Sequence, residues 1–436
     1  MRLTAAAIVA GLGFVSTGCG DEGRLAATAS PIIGADARAD LTHDAVVAVL
    51  GDGSLCSGAF VGRSKSGTML VLTAAHCCSG AAPPRAIRTG SDYADPTGTF
   101  PVTSVTRHPC YNSLSNDYDL CVVEASDGGA FAAAPIPLAH EPDGLEPGSR
   151  VTLVGFGVTP AMTSVRRRAV GYVYETAPLD LGFDQAEGRG GVCFGDSGSP
   201  TLVDQKGVEV VAGVASFVTS TALCDIGGFS SRIATRAMRA EFLDRVLAGE
   251  RSSLAALLVH RKGASGGQVR DTYLASDEPD RNFGASPVLH VGSSKEGGVR
   301  RALLRFDLTG LPAGAQVLSA RMGLHVESKT GGGTLAVHRI AREWDEAHVT
   351  WASEGDRGFE RGALASARTD TPLAEATSAV WFDLTDLAGQ LQRGEAENLG
   401  LLVSEAEAED TTLLSSEIAR SSERPWMQLC YLPKAP

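Results

Sequence analysis

Nine cysteines constrain this chain more than any other feature, because all but Cys430 fall within the first 224 residues. The others are Cys19, Cys56, Cys77, Cys78, Cys110, Cys121, Cys193 and Cys224. They form no paired CxxC motif and show no zinc-like spacing, so the pattern reads as a disulfide framework rather than a metal centre. Disulfides persist in oxidising compartments, and the N-terminus supplies a matching address. Met1 and Arg2 give a charged start, residues 3–15 are almost wholly apolar, and the small residues Ser16, Thr17 and Gly18 lead to Cys19. That order predicts a secretory signal over 1–18.

Gly18 and Cys19 resemble the end of a bacterial lipobox, in which the cysteine after the cut is acylated. The resemblance implies lipidation at Cys19 and makes 19–31 a propeptide or lipid-anchored tether. Ser16 departs from that pattern, standing where Leu or Val is usual.

The uneven cysteine distribution implies two units of different construction, and 436 residues are enough for two or three compact domains. Aromatic residues are only 6% and Gly numbers 51, a balance that favours turn-rich β structure over a helical bundle. Lys and Arg number 38 against 51 Asp and Glu, a net charge of −13. Such a balance speaks against nucleic acid as the main partner, because phosphate binding needs a cationic excess. Beyond the N-terminus no apolar run approaches the roughly 20 residues of a membrane span.

Short β-type runs between Gly, Asp, Pro and Ser turns occur at 45–50, 70–73, 120–124, 151–155 and 208–217. Such spacing suggests an antiparallel barrel or sandwich. Only 236–248 has a helical period, with Met238, Phe242 and Val246 near one stripe and Gly249 as the stop. Residues 262–267 read as a flexible linker by composition, while 254–260 fit either a strand of the second unit or a docking piece of linker. Alternating runs resume at 288–291, 302–306, 317–326, 334–339, 380–384, 399–403 and 426–432. The expected division is a first unit over 32–249, a linker over 250–270 and a second all-β unit over 271–436.

Three segments of the first unit carry chemistry. Leu72-Thr73-Ala74-Ala75-His76-Cys77 puts a histidine after small residues that let backbones pack closely. Asn116-Asp117-Tyr118-Asp119 leads into the apolar run 120–123, with Asp119 at its mouth. Cys193-Phe194-Gly195-Asp196-Ser197-Gly198-Ser199 places a serine in a glycine-flanked turn. A serine hydroxyl needs a neighbouring base to become a nucleophile. Histidine serves near neutral pH once a carboxylate fixes its tautomer. The glycines let backbone N–H groups converge on developing oxyanion charge, here those of Gly195 and Ser197.

These segments resemble the three signature blocks of the trypsin-like serine proteases, in that family's chain order. The resemblance covers roughly residues 32–248. It implies an all-β fold of two packed six-stranded barrels with the site between them, and a C-terminal helix at 236–248. It makes His76 the general base and acid, Asp119 its orienting carboxylate and Ser197 the nucleophile. Asp117 competes with Asp119, but Asp119 abuts the apolar run and matches the block. His43, His108 and His140 lack such a setting and read as structural. Ile32, Ile33 and Gly34 resemble the mature N-terminus that this family frees by proteolysis, which implies an activation pair between Ile32 and Asp196. Pro31 precedes it where trypsin-activated zymogens have Arg or Lys. Disulfides Cys56–Cys77, Cys193–Cys224 and Cys78–Cys110 are implied by the same resemblance, leaving Cys121 as a buried thiol and Cys430 free. Gly191, six residues before Ser197, stands at the pocket floor where trypsins keep Asp. Ser216, Phe217 and Val218 form one wall, with Val218 narrowing it, and Gly228 leaves space on the other. A preference for small or medium apolar side chains is the expectation.

In the second unit, Asp271-Thr272-Tyr273-Leu274, Asn282-Phe283-Gly284, the run 303–308, Trp344-Asp345-Glu346 and Val349-Thr350-Trp351 resemble a DNRLRE domain. That family implies a jelly-roll β-sandwich related to carbohydrate-binding modules and found on secreted bacterial proteins. The tryptophans are core residues or sugar platforms, the former being the commoner fate. Asp277, Glu278 and Asp280 read as a solvated loop, and no metal cage or cofactor is implied. The expected protein is an exported serine endopeptidase, secreted or anchored at the cell envelope. Its partners are a protein or peptide substrate and a polysaccharide or cell-surface ligand, with a lipid anchor as its one link to a membrane. The alternative is a catalytically silent binding or adhesion protein built on a protease fold.

Overall fold

The computed structural model describes residues 32–80, 83–113, 115–157, 164–218, 224, 226–250, 255–262, 268–294, 297–329, 334–355, 357, 359–368, 379–405 and 410–433. The expected signal 1–18, the tether 19–31 with Cys19, and 251–254 and 263–267 of the expected linker lie outside the described residues. No described helix is long and apolar enough to cross a membrane.

A short strand, β1 (Arg38–Ala39), precedes six strands that close into the first barrel: β2 (Val46–Leu50), β3 (Leu55–Arg63), β4 (Met69–Thr73), β5 (Ala86–Thr89), β6 (Gly98–Arg107) and β7 (Cys121–Ala125). Their order around the barrel is β2-β3-β4-β7-β6-β5. Met-Leu-Val-Leu-Thr of β4 is buried at every position because β3 and β7 flank it. By contrast, β6 alternates half-buried and exposed residues along its whole length, the period of a strand with one face to the core.

The second barrel is built from β8 (Arg150–Gly155), β9 (Arg167–Thr176), β10 (Asp180–Asp184), β11 (Pro200–Gln205), β12 (Val208–Val218) and β13 (Gly227–Arg232). It closes because β8 pairs with both β9 and β11, while β1 adds to β9. The helical segment runs over Arg239–Leu243 and Asp244–Leu247. Its stripe of Met238, Phe242 and Val246 is buried in a cluster holding Leu72 and Val123 of the first barrel and Leu202 and Val214 of the second. The two-barrel expectation and the helix therefore both hold.

The second unit comprises β14 (Ala256–Arg261), β15 (Val269–Ala275), β16 (Val288–Ser293), β17 (Val299–Phe306), β18 (Gln316–Lys329), β19 (Thr334–Ile340), β20 (Phe359–Arg368), β21 (Ala379–Asp383), β22 (Leu401–Glu405), β23 (Asp410–Leu414) and β24 (Trp426–Leu432). The long β18 pairs with β21 and β24 along its first part and with β23 at its end, so it belongs to two sheets. Leu289, Leu304, Leu335 and Val403 of one sheet and Val380, Phe382 and Leu429 of the other bury a common core. Of the stretch 254–260 left open in sequence, residues 256–260 lie in β14, which pairs with β24, and so join this unit rather than a linker. Trp344 is buried, with its indole N–H on the Leu399 carbonyl at 2.9 Å, the core fate.

Among the described residues four disulfides form, and the expected Cys78–Cys110 pairing is wrong. Cys56–Cys77 and Cys193–Cys224 occur as expected. Cys78 instead joins Cys121, and Cys110 joins Cys430, so neither Cys121 nor Cys430 is a free thiol. Local geometry explains the first exchange: Cys121 lies opposite Thr73 in the β4–β7 ladder, and the helical turn His76–Cys78 swings Cys78 back over that pair. The second follows from docking of the two units, which brings β24 against the loop after β6. Four disulfides fit an oxidising, extracellular setting.

Candidate active site

His76 leaves β4 through Ala74 and Ala75, both fully buried, which let the chain turn tightly between the barrels. Asp119 sits just before β7, the neighbour of β4, with no exposed surface. Its Oδ1 accepts the backbone N–H of His76 at 2.8 Å, and its Oδ2 lies 2.7 Å from His76 Nδ1. The Ser216 hydroxyl donates to the same Oδ2 at 2.6 Å. An ionised carboxylate here fixes the proton on Nδ1 and leaves Nε2 as the acceptor. The ring is about a third exposed (31%), enough for a substrate to meet it.

Asp117, the rival carboxylate, makes no hydrogen bond or ion pair with His76 among the described residues. Tyr118 between them has φ of +57°, which breaks the two-residue strand period and turns the two side chains apart. Asp117 pairs instead with Arg321.

Ser197 lies in a tight turn after Cys193. Asp196 N–H donates to Cys193 O at 3.1 Å and Ser199 N–H to Asp196 O at 2.7 Å, with Gly195 and Gly198 at φ of +88° and +83°. The turn is seated on the first barrel: the Ser197 carbonyl accepts from Ser57 N–H at 2.8 Å, and Cys77 Sγ lies 3.7 Å from that oxygen. A Cβ at Gly198 would collide with Thr73 and the Ser57 carbonyl, so only glycine permits this approach to β3 and β4. No hydrogen bond joins Ser197 Oγ to His76 Nε2 among the described residues, a contact that in such sites often tightens only with substrate bound. The N–H groups of Gly195 and Ser197 donate to no described residue, as an oxyanion site requires.

Asp196 is fully buried. Its Oδ2 accepts from Ile32 N–H at 2.8 Å and Cys193 N–H at 3.0 Å, and its Oδ1 from Gly157 N–H at 2.8 Å. Burial outweighs these three donors and raises the carboxyl to about 6. Ile33 forms a two-way backbone bridge with Gly191, at 2.9 and 3.0 Å, which fixes the neighbouring chain. Cys56, His76 and Cys77 bring potential metal-ligating atoms together, but both sulfurs are joined in a disulfide.

Residues 32–237 match the family Trypsin, and 266–429 match Carbohydrate-binding module family 96. Alkaline trypsin C of Manduca sexta is 30% identical over 186 residues, covering 37% of this chain and 71% of that protein. The chain belongs to the trypsin family. Trypsin 5G1 of Aedes aegypti is 28% identical over 199 residues, 41% of this chain and 73% of its own length. The solved structure of human heparin binding protein aligns with 46% of this chain and 92% of its own, at 21% identity and a TM-score of 0.38.

One departure of this trypsin-family domain was invisible in sequence. Gln185, just after β10 and 1% exposed, occupies the space between Gly191 and Gly228. A Cβ on either glycine would fall on the Gln185 side chain, so the space expected beside Gly228 is filled. Its Nε2 donates to the carbonyls of Val192 at 3.1 Å and Cys224 at 2.5 Å, and its Oε1 accepts from Val192 N–H at 2.8 Å. Both amide hydrogens are thus satisfied inside the protein. Val218 faces Gly228 across the β12–β13 ladder, and Phe217 stacks on Phe229 with centroids 4.6 Å apart. Ser216 sends its hydroxyl to Asp119 rather than to the pocket. A glutamine after a strand carries no sequence signal for such a role; the paired glycines were its only trace.

Proposed function

We propose that this protein is an exported serine endopeptidase using Ser197, His76 and Asp119 through an acyl-enzyme. His76 Nε2 takes the Ser197 hydroxyl proton as Oγ attacks the scissile carbonyl. The Gly195 and Ser197 N–H groups stabilise the oxyanion, and His76 returns the proton to the leaving amine. Water then repeats the sequence to release the acid. The observation that carries this reading is the buried Asp119 bonded to the backbone N–H and the Nδ1 of His76, beside the Ser197 turn. Full activity would follow cleavage before Ile32, supported by the Ile32–Asp196 contact.

Gln185 supports a shallow, neutral pocket for small apolar side chains and argues against Arg or Lys, which would need an acidic floor. The second unit, a DNRLRE-like sandwich in this reading, would hold the enzyme on a polysaccharide or cell surface. A groove there lined by Gln268, Arg270, Arg305, Asp307 and Asn398 offers the polar groups that sugar hydroxyls need. A signal over 1–18, with or without acylation at Cys19, would deliver it.

The test is an organophosphonate active-site label. Labelling of Ser197 that His76→Ala abolishes supports the reading; casein cleavage surviving both His76→Ala and Ser197→Ala refutes this mechanism, whereas a wild-type chain that neither labels nor cleaves favours the silent binding protein.

A further inference from the structure

The second unit grips the turn that ends in Asp119. Asn116 and Tyr118 both hold left-handed backbone, at φ of +56° and +57°, which non-glycine residues keep only where their surroundings impose it. Asp117 between them is 1% exposed; one carboxylate oxygen is bonded by Arg321 of β18, and the other has no partner among the described residues. Tyr118 is fully buried and donates its hydroxyl to Ser319 Oγ, on the same strand, at 2.6 Å. Its ring stacks on His108 at 4.5 Å, which packs on Phe242 at 4.6 Å. Asn112, whose N–H meets the Asp117 carbonyl at 3.2 Å, bonds Gln428 of β24, and Cys110 is linked to Cys430 on that same strand.

Four anchors from β18 and β24 therefore converge on residues 110–118, immediately before Asp119. Asp119 in turn meets its three donors at 2.6 to 2.8 Å, distances that a small displacement of the turn would break. Removing Arg321 would leave an uncompensated buried carboxylate two residues from Asp119.

We propose that the carbohydrate-binding module is part of the catalytic apparatus, with Arg321 and Ser319 as positioning residues that hold the 116–118 turn and so aim Asp119 at His76. This rests on the serine-protease reading above. The protease domain would then be competent only while the module is docked on it.

The experiment uses the full chain, with kcat expressed per site titrated by the organophosphonate, so that loss of folded protein does not count as loss of function. Arg321→Met is expected to lower kcat per titrated site about 10- to 100-fold while KM moves less than about threefold. Arg321→Lys, which keeps a cation for Asp117, should recover a large part of the loss. Ser319→Ala is the milder variant and is expected to lower kcat about threefold, in line with one lost hydrogen bond. Wild-type kcat per site in both Arg321→Met and Ser319→Ala overturns the proposal and leaves the protease reading intact. A wild-type chain that fails to label at Ser197 overturns both together.

Discussion

Ile32 donates its backbone N–H to Asp196 Oδ2 at 2.8 Å across 164 residues of chain, and neither residue has exposed surface. While Ile32 remains in peptide linkage, this nitrogen is a neutral amide, and burial lifts Asp196 from 3.8 to about 6. The folded chain then holds the proton more tightly than the unfolded one. Stability should fall as pH rises from about 4 to about 6 and level off above that, by about 3 kcal/mol for a shift of this size. Urea unfolding of the uncleaved chain against pH checks this, and Asp196→Asn should flatten that slope. Parallel curves for the two proteins would show that Asp196 does not titrate in this range.

Cleavage before Ile32 would replace the amide with an ammonium beside the same carboxylate. Pro31→Lys, followed by trypsin, gives a controlled cut at that bond. Peptidase activity should rise at least about tenfold on cutting, because an ion pair fixes the Asp196 turn that carries Gly195 and Ser197. Asp196→Asn in the same background should remove the rise; an equal rise would exclude the pairing as the activating step.

Ser216 was read in sequence as a pocket wall, yet its hydroxyl is one of three donors to Asp119. A hydrogen bond to a charged group is worth roughly 1.5–3 kcal/mol. Ser216→Ala should therefore lower kcat about tenfold or more on a small peptide amide, with little change in KM. Asp119→Asn should cost far more, about 10⁴-fold where this constellation has been studied, because the histidine tautomer is lost.

Gln185 fills the pocket between Gly191 and Gly228. Gln185→Ala should deepen it and shift preference from Ala toward Leu and Phe before the scissile bond, read from a peptide library. It should also destabilise the fold by about 2 kcal/mol or more, since three buried backbone groups lose their partner. An unchanged profile would mean that Val218 alone sets the depth.

What the sequence made legible was local. The three blocks around His76, Asp119 and Ser197, the barrel strands and the helix stripe of Met238, Phe242 and Val246 each rest on neighbouring residues with a fixed period or turn chemistry. Gln185 was hidden because filling a cavity depends on what stands opposite, here two glycines on other elements. The cysteine pairing failed for the same reason. Cys110 was paired with Cys78 inside its own unit, which left Cys121 as a thiol, whereas Cys110 has its partner 320 residues away and so frees Cys78 for Cys121; no spacing rule encodes how two domains dock.

That long link gives the last prediction. Cys110–Cys430 closes a separation of 320 residues, for which chain entropy gives roughly 5–6 kcal/mol as an upper value, because three shorter disulfides already constrain the unfolded chain. It also ties the two cores into one unit, with Cys430 buried in the cluster of the barrels. A Cys110→Ser, Cys430→Ser double variant should lower the melting temperature and split one calorimetric transition into two. Peptide mapping without reduction should recover Cys110 joined to Cys430 and Cys78 joined to Cys121. Recovery of a Cys78–Cys110 peptide together with free thiols at 121 and 430 would show that the two units are not covalently tied, and would remove one of the four anchors of the turn before Asp119.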